Sequence, residues 1–228
     1  MNKSREISRL LFNIHRKDEK IMPIITKIEQ QKNNNRVNLY VDGEFFLGID
    51  MEILYKLRLK EGRDIEKKEL QFIIEEETYQ KAKSKALKLL HFSSRTEKEM
   101  REKLKKYEYS DEIIDRVILF LKEYNFINDQ ELAKQMVKSK SKEKKYGQNR
   151  IKQDLYRKGM DIELIENIIT EELDRETEYE NALSLAQKKV KTIKDTDKRK
   201  IYEKLGRYLV YRGYDYDIIR KVIDIVLK

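Results

Sequence analysis

Residues 147–169 read GQNRIKQDLYRKGMDIELIENII, and the spacing inside this stretch decides the fold. Ile151 and Leu155 are neighbours on one helix face. Gly159 follows where a helix C-terminus wants a left-handed residue. Asp161 is a good N-cap for a second helix, whose apolar stripe holds Ile165 and Ile168. The arrangement occurs twice more. Met100, Leu104, Ser110, Ile114 and Val117 precede it by 51 positions, and Leu205, Leu209, Asp215, Ile219 and Val222 follow it by 54. One unit used three times predicts an array of helical modules, each needing its neighbours to bury an apolar face. Such arrays present long surfaces to large partners, so the repeat points to binding before catalysis.

Each unit reads as three helices. In the first, Ala82, Ala86, Leu89 and Leu90 mark the inner face of helix one. Thr96-Glu97-Lys98-Glu99 is a capping box, in which the threonine oxygen takes an orphan amide and the glutamate reaches back. Helix two buries Met100 and Leu104. Ser110 caps helix three, with Ile113, Ile114, Val117, Ile118 and Leu121 on its stripe. The third unit repeats that stripe as Ile218, Ile219, Val222, Ile223 and Val226. Gly159 and Gly213 stand two places before the caps Asp161 and Asp215. The first unit has Glu108 there, so its turn is expected to be made differently.

The region ahead of the repeats is not helical at first. Ile24, Ile25 and Ile28 open a strand, Asn33-Asn34-Asn35 form a polar turn, and Val37, Leu39 and Val41 alternate as in a half-buried strand. Asp42-Gly43 is a two-residue hairpin turn leading into a return strand over 44–49. Asp50 caps a short helix, Gly62 breaks the chain, and helical periodicity resumes near Ile65. The expected architecture is mainly α: three tandem three-helix repeats forming an elongated array, preceded by a small β-hairpin-plus-helix N-terminal module. The boundaries read as 1–21 for a mobile or weakly helical extension, 22–75 for the module, and 76–126, 127–175 and 176–228 for the repeats.

Composition agrees. Charged residues are 41% of the chain and hydrophobic residues 39%, with one proline and seven glycines, which suits thin cores and solvated helices. Lysine plus arginine is 51 against 42 acidic residues, a net +9 that favours a polyanionic partner. There is no cysteine, consistent with a reducing cytoplasm, and no apolar run long enough for a membrane span. Charge is segregated. Lys138–Lys158 carries nine basic residues against Glu143 and Asp154, Asp161–Glu180 carries nine acidic residues against Arg175, and Lys188–Lys200 is basic again. Blocks of this kind mark either solvated faces or partner surfaces.

No catalytic constellation is present. His15 and His91 lie in different regions without zinc-site spacing, and no glycine precedes a Lys-Ser or Lys-Thr in a phosphate loop. No cofactor is expected. Binding has better support: Tyr146, Tyr156, Tyr208, Tyr211, Tyr214 and Tyr216 stand among cations. There they either stack bases or pack at helix boundaries with a wet hydroxyl.

At three places the chain resembles the RecX family of recombination regulators. Arg95-Thr96-Glu97-Lys98-Glu99-Met100 looks like the family's R-[ST]-x-x-E-L segment. Ile127-Asn128-Asp129-Gln130-Glu131-Leu132-Ala133 is similar to L-N-D-x-x-F-A. Residues 147–160 look like G-x-x-R-I-x-x-E-L-x-x-K-G-I, in the right order and spacing. Ser93, Leu132 and Glu108 depart from the pattern. The resemblance implies a regulator of the RecA recombinase, not an enzyme; a cytoplasmic, monomeric protein is expected. Its partners would be the RecA filament and single-stranded DNA, with duplex DNA as an open alternative, and no membrane. Such proteins lie along the filament groove and suppress its ATPase and strand-exchange activities. The expected contact residues are Arg150, Lys152, Arg157 and Lys158 around buried Ile151 and Leu155, with Lys144, Lys145 and Tyr146 entering the same helix. Arg95, Arg101, Lys105, Arg207 and Arg212 follow on the outer units. Asn128-Asp129 reads as a helix cap, and Gly147 and Gly159 as turn residues. A general helical DNA-binding protein is the competing reading, and a metal-dependent nuclease a third.

Overall fold

The computed structural model describes residues 22–32 and 35–228. The expected extension, and Asn33 and Asn34 of the polar turn, lie outside them. Three strands form an antiparallel sheet in chain order: β1 (Ile25–Gln30), β2 (Arg36–Val41) and β3 (Glu44–Asp50). The module is therefore a three-stranded meander, made of the opening strand and the hairpin that the sequence places there. Val37 pairs with Ile49 and Leu39 with Leu47, so alternate side chains enter one core with Ile25, Phe46 and Ile53. The β2–β3 turn is the expected one, with positive φ at both Asp42 (51°) and Gly43 (83°). Asp50 caps α1 (Met51–Lys56), accepting from the Glu52 amide at 3.0 Å.

The helices follow as three successive trios: α2 (Lys67–Phe92), α3 (Glu97–Lys105) and α4 (Asp111–Glu123); α5 (Asp129–Lys142), α6 (Gln148–Arg157) and α7 (Ile162–Glu172); α8 (Arg175–Val190), α9 (Lys198–Arg212) and α10 (Tyr216–Val226). The fold is mainly α, with three three-helix repeats behind a small sheet. The chain divides into two compact units. One holds the residues up to Ser93 together with Arg101–Glu123, and the other holds Ser94–Met100 with Tyr124–Lys228.

In the first unit, α2 is continuous for 26 residues. Its first turns close the sheet core through Leu70, Ile73 and Ile74, and its later turns pack on α4. The helix of the module and helix one of the first trio are thus one element. Two adjacent buried glutamates near its middle anchor it. Glu77 accepts from Arg36 Nη2 at 2.6 Å and from the Asp50 amide at 3.0 Å. Glu76 takes Lys56 at 3.1 Å and Arg116 at 2.5 Å. Buried carboxylates persist only when paired in this way. Burial pushes the Glu76 carboxyl up, but Arg116 and Lys56 outweigh it and hold the group below its usual range.

In the second unit, α5 packs on α6 and α7 around Ala133, Val137, Ile151, Leu155, Ile165 and Ile168. There α8 packs on α9 and α10 around Ala182, Ala186, Leu205, Leu209, Ile219 and Val222. The caps fall where the sequence places them. Thr96 and Glu99 exchange both capping-box bonds, at 3.1 and 3.2 Å. Asn128, Asp161 and Asp215 each accept from the first turn of the following helix. Gly159 and Gly213 are left-handed, with φ of 80° and 94°. The first-unit turn is a correction. Glu108 adopts φ 61°, so that turn has the same geometry and bears the strain of a side chain in the left-handed region.

Candidate binding surface

Helix two of one trio meets helix two of the next end to end. The N-terminus of α6 faces the C-terminus of α9. The Gly147 amide donates to Arg212 O and the Asn149 amide to Gly213 O, both at 3.0 Å. The Gln148 amide between them donates to Glu178 Oε1 at 2.7 Å. Orphan amides of one helix thereby take orphan carbonyls of another, with the two dipoles head to tail. A Cβ on Gly147 would fall 2.5 Å from Gly213 C and O, and one on Gly213 would run into the Arg150 backbone. Both positions are glycine because two backbones touch there.

The preceding junction repeats the plan with different atoms. Thr96 Oγ1 donates to Lys158 O at 2.8 Å, and the Glu97 amide donates to Asp129 Oδ1 at 3.0 Å. Lys158 Nζ reaches Glu99 Oε1 at 2.7 Å. Burial alone would push the Glu99 carboxyl up; Lys158, the Thr96 amide and Arg95 hold it down instead. At the second junction the balance is reversed. Burial pushes Glu178 above its usual range, and Asp215 adds to the rise against the pull of the Gln148 amide.

These junctions absorb much of the basic stretch. Lys144, Lys145 and Tyr146 do not belong to α6, which begins after the N-cap Gly147; they form the connection before it. Lys145 Nζ donates to Ser184 at 2.9 Å, and its carbonyl accepts from the Tyr214 hydroxyl at 2.8 Å. Arg212 donates to the carbonyls of Lys144 and Lys145 and lies 4.7 Å from the Tyr146 ring centre. Tyr214 is buried, which pushes its phenol well above the usual range. Asp154 gathers Lys140 at 2.6 Å, Arg157 at 2.8 Å and Arg150 at 3.8 Å.

Further pairs join helix two to helix three: Arg101 with Asp115 at 2.5 Å in the first trio, and Lys152 with Glu166 at 2.6 Å in the second. Lys105 meets Asp111 at 2.9 Å. Arg95 is half-buried. The sequence reading ranked these cations by expected exposure. Lys145, Arg150, Lys152, Lys158 and Arg212 are instead partly buried and held by internal partners. Lys144, Arg157, Lys105 and Arg207 remain exposed. Sequence reading missed Glu99, Glu178 and Gly213 as junction residues; their partners lie in another unit, as Lys158 does for Glu99 and the Gln148 amide for Glu178, and no spacing within one unit signals them.

No group of three or more His, Asp or Glu among the described residues is arranged to hold a metal ion. No helix among them is long and apolar enough to cross a membrane. Against known families, residues 23–66 match the regulatory protein RecX N-terminal domain. Residues 82–121, 128–168 and 176–223 match the first, second and third RecX three-helix domains. The chain is 48% identical over 207 residues to the regulatory protein RecX of Clostridioides difficile (strain 630), covering 90% of this chain and 97% of that one. It is 41% identical to the protein of the same name from Clostridium beijerinckii, over 90% and 97% of the two chains. A crystal structure of regulatory protein RecX superimposes with a TM-score of 0.76 at 26% identity, over 89% of this chain and all of that one. The RecX structure from Lactobacillus salivarius gives 0.61 at 26% identity, over 65% and 96%.

Proposed function

This chain belongs to the RecX family of regulatory proteins, and from that premise we propose that it binds the RecA filament on single-stranded DNA and suppresses its ATP hydrolysis and strand exchange. The observation that carries this reading is the occurrence of all four RecX domains in order. Regulation needs no reactive centre. A protein that binds one filament state more tightly than another shifts the population toward it by that difference in affinity. A chain with three related modules suits contact with several identical subunits at once, where each added contact raises avidity.

Lys144, Arg157, Lys105 and Arg207 are the exposed members of the expected contact set and serve as its direct contacts. Arg95, Arg101, Lys145, Tyr146, Arg150, Lys152, Lys158 and Arg212 act by setting how the helices on or beside which they lie are held. The acidic band over 161–180 suits basic surfaces on the recombinase, and the basic bands suit phosphates. A cytoplasmic, monomeric protein without turnover of its own goes with this reading.

The test is ATP hydrolysis by RecA on single-stranded DNA with this protein titrated in. The expected result is a dose-dependent fall, with the protein co-sedimenting with filaments. Unchanged hydrolysis at excess protein, with no co-sedimentation, refutes the proposal.

A further inference from the structure

The third trio breaks a rule that the other two keep. At corresponding positions, Arg101 and Lys152 on helix two pair with Asp115 and Glu166 on helix three. The repeat spacing maps these pairs onto Gly206 and Arg220. The cation has become a glycine and the acid an arginine, so no ion pair bridges α9 to α10 there. A groove of about 740 Å³ lies in its place, lined by Gly206 and Arg220 with Tyr202, Arg207, Tyr211 and Tyr216.

Three features set this groove apart from the rest of the basic surface. Its arginines are uncommitted: neither Arg207 nor Arg220 has an ion pair or side-chain hydrogen bond among the described residues, unlike Arg150, Lys152, Lys158 and Arg212. Its aromatic rings are open, with Tyr211 68% and Tyr216 80% exposed. Arg150 lies 5.5 Å from the Tyr211 ring centre and supports that ring by a cation–π contact. Thirdly, Gly206 has no internal reason to be glycine. It sits inside α9, where glycine weakens a helix, yet a Cβ there would meet only Ile223 Cδ1, at 3.9 Å, an ordinary contact. What its small size leaves open is the floor of the groove.

We propose that this α9–α10 groove binds single-stranded nucleic acid directly, with bases stacked on Tyr211 and Tyr216 and the adjoining phosphates held by Arg207 and Arg220. Open tyrosine faces beside unpaired guanidinium groups match the alternating chemistry of an unstacked strand, flat apolar bases along a charged backbone. A duplex keeps its base faces hidden, so the groove selects single strands. The site acts on naked strand and does not depend on the filament reading.

The experiment measures anisotropy of a short fluorescein-labelled oligothymidylate with the full chain and no recombinase, over a salt series. The variant Gly206→Lys with Arg220→Glu rebuilds the ion pair of the other trios and fills the floor. It is expected to keep the parent's thermal midpoint and to bind about tenfold more weakly, because it removes the Arg220 phosphate contact and closes the floor over which the strand lies. Tyr211→Leu with Tyr216→Leu is expected to lose affinity without changing the salt slope. Arg207→Gln is expected to flatten the slope by about 0.7, the share of one phosphate contact on single strands. An abasic oligomer of equal length is expected to bind the parent no better than the tyrosine variant does. Parent-like affinity in the rebuilt-pair variant overturns the proposal, as does equal binding of abasic and base-bearing strands. If that variant loses inhibition of the recombinase while its strand affinity stays intact, the groove takes a protein segment and the proposal also fails.

Discussion

Replacing Gly147 by alanine tests whether helix two of the second trio is truly butted against helix two of the third. The backbone at Gly147 has φ −77°, which alanine adopts freely, so conformational strain is not the issue. The added Cβ would stand 2.5 Å from Gly213 C and O and 2.6 Å from the Tyr214 amide. All three are backbone atoms, which cannot swing aside. Two responses are open. If the helices stay in place, overpacking costs about 1–3 kcal/mol. If they separate, the bonds from Gly147 to Arg212 O and from Asn149 to Gly213 O are lost, at about 0.5–1.5 kcal/mol each. Either route costs about 2 kcal/mol. Because arrays of repeats do not always unfold in one step, amide hydrogen exchange is the better assay. The Asn149 amide should exchange roughly 30-fold faster if its protection comes from the junction. Gly147→Ser supplies the control: serine restores a good N-cap while keeping the offending Cβ, so the loss common to both variants measures the contact. Parent-like protection of Asn149 in both variants would refute the reasoning.

The other predictions concern charge. Glu178 has a raised folded-state pKa through burial, so its contribution to stability is complete below its unfolded pKa and declines as pH rises through the folded value. Glu178→Gln keeps an oxygen for the Gln148 amide and sheds the buried charge. It should be at least as stable as the parent at neutral pH, with the difference vanishing on acidification; urea midpoints across that range decide the matter, and a variant weaker only at neutral pH contradicts it. Reversing exposed Lys142 and Lys144 to glutamate should move inhibition of RecA hydrolysis to higher protein concentration while circular dichroism stays unchanged. Lys158→Glu should instead lower the unfolding midpoint, because it puts a second carboxylate beside Glu99.

What could be read from the sequence was what depends on near neighbours along the chain. The stripes, the capping box at Thr96–Glu99 and the left-handed glycines each involve residues within a few positions, and each is in place. Glu108 shows the limit of that reading. A glutamate at this position predicts a turn made differently, yet Glu108 adopts the same positive φ of 61°, at a cost a folded helix trio can bear. The junctions escaped for a different reason. Thr96 bonds a carbonyl 62 residues away and Tyr214 one 69 residues away, and no periodicity within one unit announces a partner in the next.

The basic stretch misled for a related physical reason. A helix C-terminus exposes carbonyl oxygens and a partial negative charge, and it recruits cations. Lys158 and Arg212 close α6 and α9, so a lysine or arginine there serves the chain before it serves a partner. A count of basic residues therefore overstates the surface available for binding. The discriminating feature is a broken pairing rule rather than charge density. Arg101–Asp115 and Lys152–Glu166 set the rule and Gly206 with Arg220 break it. In a repeat protein the fold explains what recurs, so selection for a partner is best sought where one unit gives up an interaction that its siblings retain.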